Sequence, residues 1–125
     1  MPRLFFEETK PIVPVSVLVI DDDGLSLKIT AKALSDAGYQ VITTTTAADG
    51  VNLAQQEQPQ LIITNIGMPN TTSTNLIEAL QECAPESSVI TTTDYGAEQL
   101  AANALKCGAE DYLIRPVHPQ EIVTV

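Results

Sequence analysis

The chain is short of positive charge. Six Lys and Arg stand against 16 Asp and Glu, a formal net charge of −10 over 125 residues. Neutralising the phosphates of a nucleic acid takes a basic patch, so this segment is not expected to bind one. Tryptophan is absent, and His118 is the single histidine. It stands before Pro119 with no nucleophile near it in the pattern, and reads as a loop or cap residue rather than a catalytic base. No apolar run approaches the ~18–20 residues of a membrane span, so no membrane contact is expected. Leu4-Phe5-Phe6 is followed at once by Glu7-Glu8, which makes a poor signal peptide, and the expected compartment is the cytoplasm. The two cysteines, Cys83 and Cys107, have neither metal-ligand nor redox spacing and read as reduced thiols near helix ends.

The remaining composition is that of one globular domain. Hydrophobic residues make up 44% and charged residues 18%, enough to bury a core at this length. Residues 1–14 contain Pro2, Pro11 and Pro14, lack periodicity and read as an arm or linker; residues 15–125 read as the domain. There, strand and helix patterns alternate. Strands are expected at about 15–20, 40–44, 61–65, 88–92 and 111–114. The first helix is expected to bury Leu25, Ile29, Ala33, Leu34 and Ala37, at spacings near 3.6, and to end at Gly38. A second helix covers roughly 47–56. A third has Leu76, Ile77 and Leu80 on one face. A fourth covers roughly 97–106, with Leu100, Ala104 and Leu105 apolar. Pro119 suits the first position of a fifth helix, with Glu121 near its positive end. That helix has barely begun at Val125 and is expected to be cut short. The threonine runs 43–46 and 91–93 read as strand ends. Repeated β-α units imply an α/β fold, a parallel sheet covered by helices on both faces and doubly wound.

In such a sheet, ligands bind in the crevice outside the carboxyl ends of the strands. The first strand empties into Asp21-Asp22-Asp23, the third ends at Asn65, the fourth leads into Thr91-Thr92-Thr93, and the fifth ends at Arg115-Pro116. Acids, a hydroxyl, a cation and one amide are thereby gathered into one site. The set suits phosphate and a divalent metal, yet an amide sits where a nucleophilic carboxylate is wanted. Asp23 reads as the cap of the first helix.

These pieces together resemble the receiver domain of two-component response regulators, CheY-like in type. The matching segments are Leu18-Val19-Ile20-Asp21-Asp22-Asp23, Gly38-Tyr39-Gln40-Val41, Leu61-Ile62-Ile63-Thr64-Asn65-Ile66-Gly67-Met68-Pro69, Val89-Ile90-Thr91-Thr92-Thr93 and Cys107 through Pro116. The resemblance implies a flavodoxin-like five-stranded parallel sheet in the order 2-1-3-4-5. It implies a phosphoacceptor aspartate at position 65, a magnesium ion held by Asp21, Asp22 and the backbone carbonyl of Gly67, and a phosphoryl-binding hydroxyl at Thr93. It also implies a switch aromatic at Tyr112 and a phosphate-pairing cation at Arg115, before a Pro116 whose peptide bond is cis.

The chain departs from this pattern within the site itself. Asn65 replaces the acceptor: an amide has no charged oxygen to offer phosphorus, so phosphotransfer onto residue 65 is expected to be absent. Magnesium loses a carboxylate and is expected to bind weakly, if at all. Arg115 replaces a lysine, a swap that is not conservative where geometry matters, and its planar fork is expected to pair with Asp21 or Asp22. Asp94 stands where a very small residue is usual and is expected to narrow the pocket or pair with Arg115. Ser73 stands where a glycine is usual. The expected function is therefore a pseudo-receiver, a signalling module that is not an enzyme and acts on a protein partner or a fused output domain. Its contact face would be the fourth helix and fifth strand, with a homodimer through that face plausible. The alternative is an ordinary phosphoaccepting regulator seen as an Asn65 variant, in which restoring Asn65→Asp would recover phosphorylation. A third reading takes Asp21 and Asp23 as the nucleophile and acid/base of a haloacid-dehalogenase-like phosphatase, which the chain length and the Met68-Pro69 loop oppose.

Overall fold

Five of the apolar runs become strands of one sheet. The computed structural model describes residues 14–94 and 96–115. The strands are β1 (Ser16–Ile20), β2 (Gln40–Thr44), β3 (Leu61–Asn65), β4 (Ser88–Thr93) and β5 (Asp111–Ile114), joined through α1 (Gly24–Asp36), α2 (Ala47–Glu57), α3 (Ser73–Cys83) and α4 (Glu98–Lys106). The sheet order is β2-β1-β3-β4-β5 and every pairing is parallel. The arm, Pro116, and the expected start of a fifth helix at Pro119 lie outside the described residues.

The pleat sends alternate residues to opposite faces. Leu18, Ile20, Ile62 and Val89 pack with α2, α3 and α4 through Ala54, Leu76, Ile77, Leu80, Ala101 and Ala104. Val17, Val19, Ile63, Ile90 and Leu113 form a second cluster with Leu27 and Leu34 of α1. Every residue of β3 is buried, as a central parallel strand requires. Gly50 lets α2 lie against β1, since a Cβ there would stand 2.6 Å from Ile20 Cδ1.

Local chemistry sets where the helices start. Asp23 accepts the backbone N–H groups of Leu25 and Ser26, Thr46 that of Asp49, and Thr72 that of Asn75. Each cap satisfies an amide that the first turn leaves without a partner. Gly38 follows α1 with φ 98°, in the region that suits the residue after a helix end.

Two helix faces differ from expectation. On α1 the buried residues are Leu27, Thr30 and Leu34, while Leu25 is 70% and Ile29 52% exposed. The stripe Leu27-Thr30-Leu34 has helical spacing too, and a threonine in it disguises it as polar. On α4 the small residues Ala101 and Ala104 go inward, while Leu100 and Leu105 are 52% and 39% exposed. On α3, Leu76, Ile77 and Leu80 are all buried as expected.

Candidate functional site

The five parallel strands deliver their carboxyl ends to one edge. β1 releases Asp21, β3 ends at Asn65, β4 ends at Thr93 and β5 is followed directly by Arg115. Because β1 and β3 are neighbours, with Ile20 opposite Thr64, the acids and Asn65 meet side by side.

Asn65 is buried. Its side-chain Nδ2 donates to Asp22 Oδ1 at 2.9 Å. Its Oδ1 is buried with no hydrogen-bond partner. The amide is thus a donor toward the acid and presents a lone orphan oxygen, a costly state inside a protein unless something fills it. A carboxylate at this position has no N–H to give Asp22, so this contact belongs to the amide.

Asp21 is buried and fully engaged. Its Oδ1 accepts the backbone N–H of Asp23 at 2.9 Å, and its Oδ2 lies 3.3 Å from Arg115 Nη1. Arg115 reaches further, donating through Nε at 3.2 Å and Nη2 at 2.8 Å to a single oxygen of Asp94. One guanidinium therefore ties the β1 acid to the β4–α4 turn. The Asp21 end is the sheltered one: the side chains of Arg115 and Asp21 are 17% and 5% exposed, against 77% for Asp94. Attraction between charges grows as water is excluded, so the Asp21 contact is the stronger part of the clamp.

The other expected residues fall around this clamp. Thr93 is fully buried, and its hydroxyl donates to the backbone carbonyls of Asp94 and Ala97 at 3.3 and 3.5 Å. Tyr112 is half-buried and packs on the α2–α3–α4 side of the sheet. Gly67 turns the chain with φ 78°, a conformation glycine adopts without strain. Asp23 turns its Oδ1 to the start of α1, so it serves as a helix cap rather than an acid/base partner of Asp21. Pro116 lies outside the described residues. Cys83, away from the site, has its thiol pushed up by burial and, more weakly, by Glu82.

A magnesium ion needs several oxygens at octahedral positions. Here Arg115 and a backbone amide hold Asp21, the Asn65 N–H group faces Asp22 Oδ1, and the Asn65 oxygen is buried without a partner. Among the described residues no group of three acidic, histidine or cysteine ligands is arranged for a metal. In this arrangement the residues do not fit the ion. It would require Arg115 to release Asp21 and the Asn65 amide to turn over.

One pairing escaped sequence reasoning, Asn65 with Asp22; Arg115 pairs as expected, with Asp21 rather than Asp22 and with Asp94 as well. The residues were all singled out, but who pairs with whom depends on the strand order and side-chain reach.

The geometry agrees with the comparisons. A family model described as the response regulator receiver domain matches residues 17–125. The photosynthetic apparatus regulatory protein RegA of Cereibacter sphaeroides is 33% identical over 107 residues, which is 86% of this chain and 58% of that protein. The acid tolerance regulatory protein ActR of Rhizobium meliloti is 30% identical, over 86% of this chain and 56% of its own. The chain thus spans somewhat over half the length of these curated relatives. Among solved structures, a CheY-like receiver domain protein from Methanospirillum hungatei superposes with a TM-score of 0.79 at 28% identity, covering 90% of both chains. A response regulator from Burkholderia pseudomallei, solved with a phosphorylated aspartic acid, calcium ion and citrate, gives 0.78 at 28% identity, over 87% of this chain and 64% of that one. With the family model matched from β1 onward and the sheet order in agreement, this chain belongs to the response regulator receiver domain family of two-component signalling.

Proposed function

We propose that this chain is a receiver module that signals by protein–protein contact, without phosphotransfer to residue 65. The observation that carries the reading is the 2.9 Å hydrogen bond from Asn65 Nδ2 to Asp22 Oδ1. Residue 65 spends its polar group on holding an acid in place. It carries no anionic oxygen with which to attack phosphorus. The Arg115 clamp supports the same reading, since it neutralises Asp21 from within the chain. Thr93 and Tyr112 are likewise held by internal contacts. Magnesium binds at most weakly, and only after Arg115 releases Asp21 and the Asn65 amide turns over; the module performs no turnover of its own.

The partner is a fused output domain or a separate protein, and the compartment is the cytoplasm. The contact face is α4 and β5, where Leu100 and Leu105 stand exposed. A homodimer through this face is part of the proposal, as is the absence of nucleic acid and membrane from this segment's own contacts.

The test is intact mass after incubation with acetyl phosphate and magnesium, run beside Asn65→Asp. No phosphoryl adduct is expected on the Asn65 protein. An adduct on Asn65→Asp alone would make the amide the sole block and favour the reading as an ordinary phosphoaccepting regulator with asparagine at position 65. An adduct on neither would show that Arg115 and Asp94 also disable the site. An adduct on the Asn65 protein itself would overturn the proposal.

A further inference from the structure

A cavity of about 370 Å³ opens between the N-terminal turns of α2 and α3. It shares no residue with the acid site. Its volume falls within the roughly 300–1,000 Å³ usual for small-molecule sites. The apolar part is made by Val51 and Leu76, and the polar part by Thr45, Asn70 and Asn75.

The lining has two properties that choose a ligand. First, none of its eleven residues is charged, in a chain with 22 ionised side chains. A separate cavity of about 330 Å³, against α1, has Asp23, Asp94 and Arg115 in its lining. An ion in the α2–α3 cavity would lose water and meet no side-chain counter-charge. Second, the polar groups at its mouth are not all committed. The Thr46 hydroxyl caps α2 and the Thr71 hydroxyl donates to the Thr72 carbonyl. The side-chain amides of Asn70 and Asn75 and the hydroxyl of Thr45 make no hydrogen bond within the described residues. Asn70 is also held with φ 67°, a region few non-glycine residues adopt.

We propose that this cavity is a binding site for a small uncharged molecule with an apolar body and an amide or hydroxyl end. The body rests on Val51 and Leu76; the polar end pairs with the amides of Asn70 and Asn75. Asn70 belongs to the loop that follows Asn65, so occupancy bears on the same β3–α3 connection as the acid site. The proposal holds whether or not residue 65 accepts a phosphoryl group.

The test is an amide-resolved heteronuclear NMR titration with benzamide, beside its charged isosteres benzoate and benzamidinium. Benzamide is expected to give saturable shifts confined to residues 45–51 and 69–79, with both charged isosteres about tenfold weaker or more. Ala79→Leu, which fills the cavity, should abolish those shifts. If that variant loses its dispersed spectrum, Asn75→Leu at an exposed position should weaken them instead. No saturable shift in these residues, equal response to all three probes, or unchanged binding in the folded cavity variant would each overturn the proposal.

Discussion

β3 holds two kinds of interior within five residues. Leu61, Ile62 and Ile63 are buried among apolar neighbours on both faces, and nothing about them needs a partner. Two positions on, Asn65 is buried too, with one side-chain group bonded and the other orphaned. Shape alone stabilises the first region. The second is held by directional contacts that leave a debt in unsatisfied polarity. On the proposed function, phosphotransfer is lost in the second region while the first stays intact.

The contrast can be broken from the core side first. Leu80 is fully buried beneath the sheet. Leu80→Ala should cost about 2–5 kcal/mol in urea unfolding, through lost burial and the cavity left behind. A loss no larger than that of a surface change would mean the α3 side is not packed as described. Next comes the clamp. Arg115→Ala leaves Asp21 buried without its cation and should cost about 1–3 kcal/mol. The same variant should strengthen magnesium binding measured by calorimetry, because it frees an acid; unchanged binding would show that Arg115 does not compete with the ion. Smallest is the cap at the mouth of the site. Asp23→Ala should cost about 1 kcal/mol by the same denaturant titration, as for other caps of this kind. A value as large as that of the Arg115 variant would make Asp23 part of the charged site rather than of the α1 scaffold.

Most of the framework was legible because it repeats a simple rule. Short apolar runs ended by polar or charged residues gave all five strands, and Asp23 and Gly38 marked the limits of the first helix. The α1 face was not legible. Leu25 and Ile29 look as good a stripe as Leu27 and Leu34, and only the docked sheet decides between them. At the site, the residue types pointed to the right strand ends, since chain order fixes which residues follow each strand. The pairing of Arg115 with Asp94 and Asp21 was not fixed by chain order. It depends on a long side chain crossing from β5 to the ends of β1 and β4.

The order of the strands has a consequence for how the chain reaches this structure. Ser16 exchanges hydrogen bonds with Gln60, a separation of 44 residues, because β1 lies between β2 and β3. The β1–β3 pair therefore cannot form until residues 60–64 have left the ribosome. Loop closure over that span comes before any reward from the β1–β3 contacts, which slows folding relative to a fold of local pairings. Until β3 is available, Val17 and Val19 have no partner on that edge. The nascent chain passes through a window in which its most apolar strand is exposed, and the speed of translation past Asn65 sets how long that window stays open.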